Sequence, residues 1–211
     1  MKTILIYGSG GFAREVAWLA EEAGLSVTAF VDDSPEHIGR TTNDIQVISL
    51  EAAQSDFLDV PVVIGVGSPK TRKILASKAH ERGFRFTSVI HPRAEMSRWV
   101  SWGEGTVITS GNILTTNIQL GAHVHINLDC TIGHDCILED FVTLAPGVHV
   151  SGWVHIQRGA YIGTGAAIIN GEAGQPIVIG EDAVIGAGAV VTKSIPAGVT
   201  AVGVPARPLE R

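Results

Sequence analysis

The chain has 211 residues, 45% of them hydrophobic and 17% charged, and a formal net charge of −6. That hydrophobic share excludes a disordered chain, and the acidic balance, with no dense Lys/Arg stripe, excludes a general nucleic-acid binder. With 25 glycines and only 6% aromatic residues, the composition suggests thin, regular β layers.

The start, MKTILIYG, lacks a basic region followed by a long apolar stretch, and no apolar run approaches the length of a membrane span. A cytoplasmic location without a membrane partner is therefore expected. Thr3 to Tyr7 reads as a buried strand, and Ala13 to Ala23 as a helix turning Val16, Ala17, Leu19 and Ala20 towards a sheet before Gly24 ends it. Ser26 to Val31 and Pro61 to Ile64 read as further strands, and Lys70 to Arg82 as a helix closed by Gly83. This alternation predicts a small, Rossmann-like parallel α/β domain over residues 1–92, with His91-Pro92 at its boundary.

Between the first strand and helix lie Gly8, Ser9, Gly10, Gly11, Phe12 and Ala13, which fit a GxGxxA turn. Glycines there let phosphate oxygens approach a helix N-terminus, and Asp32 or Asp33 at the end of the second strand is placed to contact a ribose hydroxyl. The α/β segment is too short for two complete mononucleotide-binding halves, which counts against an NAD-dependent oxidoreductase. Gly65 to Lys70 would line the same crevice. Lys70 and Arg72 themselves read as a solvated helix start.

From 93 to 211 the helical signals vanish. Every sixth residue from Met96 is large and apolar: Met96, Trp102, Ile108, Leu114, Leu120, Ile126, Ile132, Leu138, Leu144, Val150, Ile156, Ile162 and Ile168. Two positions before the later ones lie smaller or apolar side chains, including Cys130 and Cys136, which read as core residues and not nucleophiles. The phase slips once, across Asn170 to Pro176, as an outward loop would require. Thirteen hits in one phase predict a parallel β-helix whose coils stack identical faces.

The repeats IGEDAV-IGAGAV-VTKSIP and the closing VGVPAR resemble the hexapeptide acyltransferases, whose domain is a left-handed β-helix. With IYGSGGFAREVAWLA and VDD in front, the whole chain resembles sugar acetyltransferases carrying an N-terminal nucleotide-sugar-binding domain. IGHDCILEDFVTLAPG and GAYIGTGAAIINGEAGQPIVIG look most like GDP-perosamine N-acetyltransferases, with the UDP-4-amino-sugar and sialic-acid O-acetyltransferase types close behind. The UDP-sugar enzymes usually carry His where this chain has Phe12, which weakens a UDP-sugar assignment.

The resemblance implies acetyl-CoA as cosubstrate, no metal, a homotrimer, and direct transfer to the amine of a nucleotide-linked sugar in surface-polysaccharide precursor synthesis. It makes His134 the general base and Asp135 the group that orients it, and gives acetyl-CoA contacts to Asn127, Gly152, Gly163 and Thr164. Asn127 reads equally well as part of an asparagine ladder. The glycine-rich turn, the acidic pair and Gly65 would hold the nucleotide. With eighteen residues per coil, Gly152 falls above His134, about 4.8 Å away. His123 reads as a surface turn residue, and His125, His149 and His155 as outward-facing, with no acidic or cysteine partners at metal-ligand spacing. O-acetylation of a sugar and a non-catalytic nucleotide-sugar-binding protein are the rival expectations.

Overall fold

The computed structural model describes residues 2–209. Its first part is a five-stranded sheet formed by β1 (Lys2–Tyr7), β2 (Leu25–Val31), β3 (Thr41–Thr42), β4 (Ile45–Ile48) and β5 (Val62–Ile64), in the order β3-β4-β2-β1-β5. All pairings are parallel except the β3–β4 hairpin. Helix α1 (Gly11–Glu22) buries Ala13, Val16, Ala17, Leu19 and Ala20. Helix α2 (Leu50–Phe57) is capped by the Ser49 hydroxyl, which accepts from the Ala52 N–H at 3.1 Å. Helix α3 (Pro69–Glu81) starts with proline in its first turn behind a Ser68 cap.

The second part is a triangular parallel β-helix. Its first face runs through the strands Val89–Ile90, Val107–Ile108, His125–Ile126, Thr143–Leu144 and Tyr161–Ile162. The second runs through Glu95–Met96, Ile113–Leu114, Thr131–Ile132, His149–Val150 and Ala167–Ile168, and the third through Val100–Trp102, Ile118–Leu120, Ile137–Leu138 and Val154–Ile156. Thr131 pairs with His149 and Leu120 with Leu138, so one coil is eighteen residues. Ala167 then pairs with Val190, because the excursion around Glu172 and Gln175 leaves the stack between them.

The sixfold anchors from Ile108 to Ile168 are buried, and so are Cys130 and Cys136, two positions before Ile132 and Leu138. Each fully buried Ile or Leu contributes about 1.5–3 kcal/mol. Met96 is only half-buried and Trp102 is 44% exposed. Both strands lie at the open end of their faces, where no earlier coil covers them.

The corners keep the same period. At every sixth residue from Gly105 to Gly165 the backbone is left-handed, through Asn117, His123, Asp129, Asp135, Phe141 and Trp153. Asn, Asp and His tolerate this conformation, whereas Phe141 and Trp153 adopt it at a cost their surroundings must offset.

The first face and its corner carrying His123 and Phe141 dock on the α/β domain. Phe141 packs into the core beneath β5 and α3, and Val107 into the core beneath α1. The corner between the second and third faces, carrying Asn117, Asp135 and Trp153, is the prism edge opposite that docking face.

Candidate active site

Parallel β1 is flanked by β2 on one side and β5 on the other, so the strand order reverses at β1 and leaves a crevice at the carboxyl ends of β1 and β5. A crevice at such a switch point is where open α/β sheets bind ligands. Here it is a cavity of about 580 Å³, and Gly8, Ser9, Gly10, Gly11, Phe12, Asp32, Asp33 and Gly65 all line it.

Glycine is required at two of these positions. Gly8 has φ +117°, and a Cβ there would lie 2.9 Å from Val66 Cγ2; one at Gly65 would lie 2.9 Å from Ala13 Cα. The N-terminus of α1 therefore sits directly against the loop after β5. Gly10 occupies the cap position without a side-chain bond, and no acidic residue lies in the first turn. Among the described residues the N–H groups of Gly11 and Phe12 have no protein acceptor, and both residues line the cavity, the arrangement that favours a phosphate.

The acidic pair is tightly held. The Ser9 hydroxyl donates to Asp32 Oδ2 at 2.5 Å, and the Ser34 N–H donates to Asp32 Oδ1 at 2.9 Å. Burial by itself would raise the Asp32 carboxyl, but these bonds and the nearby His37 outweigh it and hold the group below the usual carboxylate range. Asp33 accepts from the Tyr7 hydroxyl at 2.6 Å and from Lys78 Nζ at 2.5 Å. Burial, then the bond to Asp33, raises the Tyr7 hydroxyl well above its ordinary value. Sequence reasoning passed over Tyr7 and the α3 residues of this wall. Thr71, Ile74, Leu75 and Lys78 line the cavity at helical spacing, a signal the sequence did contain.

At the far edge of the prism, His134 is half-exposed and its Nδ1 lies 2.8 Å from Asp135 Oδ2. The other carboxylate oxygen accepts from Asn117 Nδ2 at 3.1 Å, from one coil earlier. The hydrogen bonds to His134 and Asn117 hold the Asp135 carboxyl below its ordinary value. An ionised carboxylate only accepts, so Nδ1 carries the ring proton and Nε2 presents its lone pair. Above Nε2 lies Gly152, where a Cβ would sit 2.6 Å away. Among the described residues the Gly152 N–H has no protein acceptor. Trp153 meets the imidazole edge-on at 6.2 Å.

His134, Asp135 and Gly152 thus share one edge. Asn127, Gly163 and Thr164 lie on another, between the first and second faces. Asn127 is buried with its amide donating to the Leu144 carbonyl at 2.6 Å, and Thr164 is exposed. His134 lies outside the 580 Å³ cavity.

Three expectations are corrected. His123 is buried, stacked on Phe141 at 4.9 Å and edge-on to Phe86 at 4.6 Å, because its corner is the one that docks on the α/β domain. His125 points out of the coil as expected but is fully buried rather than open to solvent: it faces that domain too, with Phe12 at 5.2 Å and no hydrogen-bond partner for either ring nitrogen. Arg72 is not a solvated helix residue but fully buried. His149 and His155 do lie outside the coil, where they meet Thr131 at 2.9 Å and Glu139 at 2.7 Å. His125, His149 and His155 sit on three different faces and cannot converge on a metal. Among the described residues no group of three His, Cys, Asp or Glu could hold a metal ion, and no helix is long and apolar enough to cross a membrane.

Residues 3–79 match the family model described as the PglD N-terminal domain. Among curated proteins none matches the chain. Among solved structures, WeeI from Acinetobacter baumannii AYE is 37% identical over 99% of this chain and 100% of that one, with a TM-score of 0.91. The acetyltransferase domain of PglB from Neisseria gonorrhoeae FA1090 is 31% identical over 99% of this chain and 100% of that one, with a TM-score of 0.87. The chain belongs to this family of hexapeptide-repeat sugar acetyltransferases. Perosamine N-acetyltransferase from Caulobacter crescentus, solved as a histidine-to-asparagine mutant with CoA and GDP-perosamine, is 29% identical over 100% of this chain and 98% of that one, with a TM-score of 0.91. The β-helix is accordingly left-handed, and the protein is a sugar acetyltransferase with acetyl-CoA as cosubstrate.

Proposed function

We propose that this acetyltransferase acylates the amine of a nucleotide-linked 4-amino sugar of the GDP-perosamine kind, with His134 as general base. The observation that carries the reading is the Asn117–Asp135–His134 chain of hydrogen bonds, which leaves Nε2 facing the open side of Gly152.

Acetyl-CoA supplies the acetyl group as a thioester. The chain's part is to seat the acceptor and move one proton. His134 Nε2 takes the proton of the attacking amine as the C–N bond forms, the ionised Asp135 stabilises the imidazolium that results, and the tetrahedral intermediate breaks its C–S bond to expel the CoA thiolate, which takes the proton back from the imidazolium. The unpartnered Gly152 N–H is placed to donate to the carbonyl oxygen as negative charge develops on it. The fit is steric as well as polar, since any side chain at 152 would occupy this space. No acyl-enzyme is needed.

The nucleotide part of the substrate is assigned to the cavity between β1 and β5, with its phosphates at the start of α1. That cavity lies within the domain docked on the first face, whereas His134 lies on the opposite edge. Asn127, Gly163 and Thr164 occupy a third location. These separations support a site completed between chains of a homotrimer, in which one chain's His134 meets a substrate held by its neighbour.

The test is an acetyl-CoA-dependent thiol-release assay across GDP- and UDP-linked 4-amino sugars and free sialic acid. A 4-amino sugar nucleotide is expected to be turned over, and His134→Ala to abolish that turnover. Full turnover by His134→Ala would remove the proposed base, and release with sialic acid alone would replace N-acetylation with O-acetylation.

A further inference from the structure

The Arg72 guanidinium is fully buried with no carboxylate beside it, and burial pulls it down to about 9 from its ordinary value. A charge so placed is retained only where its donors are fully used. Nε donates to the His123 carbonyl at 3.0 Å. Nη1 donates to the carbonyls of Val66 at 2.9 Å and Gly67 at 3.1 Å. Nη2 donates to the Phe141 carbonyl at 2.7 Å, the Val142 carbonyl at 3.3 Å and Thr143 Oγ1 at 2.8 Å. The Thr143 hydroxyl in turn donates to the Gly67 carbonyl at 3.1 Å.

Arg72 and its partners belong to three separate parts of the molecule. Arg72 itself is on α3, whose Thr71, Ile74, Leu75 and Lys78 form one wall of the cavity. Val66 and Gly67 are another part of that wall, and Val66 is the residue against which Gly8 is packed. His123, Phe141, Val142 and Thr143 belong to two successive coils of the β-helix. A single planar fork therefore fixes the cavity wall to the acetyltransferase scaffold. Lysine cannot reproduce this, because its three donors radiate from one point.

We propose that Arg72 is a positioning residue: it clamps the Val66–Gly67 wall of the cavity to the β-helix, and so sets where the sugar nucleotide is held relative to the catalytic edges. This rests on the reading above that the cavity binds the nucleotide. Because the clamp touches neither the acetyl-CoA residues nor His134, its loss should separate the two substrates kinetically.

The experiment uses the full chain with GDP-perosamine, or with a UDP-linked 4-amino sugar if that is turned over faster, and acetyl-CoA. Arg72→Lys is expected to raise the sugar-nucleotide KM and lower kcat, each by about tenfold, with the acetyl-CoA KM within about twofold of the parent. Thr143→Val keeps the shape and removes only the hydroxyl bridge. It covers the case in which Arg72→Lys fails to fold, and should shift the same constants by about threefold. Ser9→Arg, which fills the cavity, reports on the nucleotide reading itself. If Ser9→Arg leaves the sugar-nucleotide KM unchanged, the cavity is not the site and the clamp falls with it. If Ser9→Arg is impaired while folded Arg72→Lys or Thr143→Val keeps parental constants, or shifts both substrates' KM equally, the clamp alone is overturned.

Discussion

Gly152 lies one coil from His134, and a Cβ at that position would stand 2.6 Å from both Nε2 and Cε1 of the imidazole. The colliding atoms are the outer end of a half-exposed side chain rather than backbone, so Gly152→Ala should be relieved by swinging the ring away. The expected outcome is a folded protein with an unchanged thermal midpoint and a kcat lowered by about 10²-fold, the scale of displacing a catalytic group by an ångström. Steady-state kinetics beside a melting curve distinguish this from general destabilisation.

The ionised Asp135 can only accept from Nδ1, whereas an asparagine there could donate and stabilise the wrong tautomer. Asp135→Asn should therefore lower kcat by about 10²-fold or more, with little effect on the sugar-nucleotide KM. Asn117→Ala removes the second of the bonds that keep the Asp135 carboxyl low, so that carboxyl should titrate closer to its ordinary value. The variant should lower kcat in the same direction as Asp135→Asn but by a smaller factor, about threefold. A kcat unchanged by Asn117→Ala would detach Asn117 from the catalytic chain.

How much of this could be read from the amino acids differs by element. The sixfold apolar period exposed the β-helix because every coil must stack the same side chain on the last, and it also placed Gly152 above His134. The glycine-rich turn and acidic pair were legible because a strand–turn–helix junction leaves few residues at its crevice, and all eight residues chosen there line one cavity. Helix α2 and the β3–β4 hairpin went unseen: α2 is short, and Asn43 and Asp44 carry the hairpin turn with positive φ in place of a Gly signal. His123, His125 and Arg72 were misread for one reason. The hexapeptide grammar says which side chains point out of a coil, but not which outer face another domain will cover.

That covered face carries a pH consequence. Burial first, and then the nearby Arg72 charge, pulls His123 down to about 4, and the same causes with His123 itself pull His125 well below its ordinary value. Both rings fold neutral, so below about 6.5 the unfolded chain binds protons that the folded chain refuses. Stability should be full above that pH and fall as the pH drops from about 6.5 to 4. His123 would cost up to about 3 kcal/mol at the lower limit, with His125 adding in the same direction. Thermal midpoints across that range check the sign. His125→Leu, which removes two unpartnered ring nitrogens, should flatten the profile; a midpoint that rises on acidification would contradict it.

The two thiols decide between direct transfer and an acyl-enzyme, and they also decide whether a thiol-release assay can be trusted. Cys130 and Cys136 point into the coil, fully buried, with Sγ donating to the carbonyls of Ala145 at 3.2 Å and Ser151 at 3.1 Å. Burial pushes each thiol up to about 11, so almost no thiolate exists at neutral pH. A disulfide-exchange reagent should therefore leave the native protein unlabelled and titrate both cysteines only after denaturation, which makes released CoA the sole source of signal. The Cys130→Ala, Cys136→Ala double variant loses two small core groups, about 1 kcal/mol or more of stability, yet should keep kcat within about twofold. If it folded and lost turnover, a covalent acyl-cysteine would have to replace proton transfer through His134 as the first chemical step.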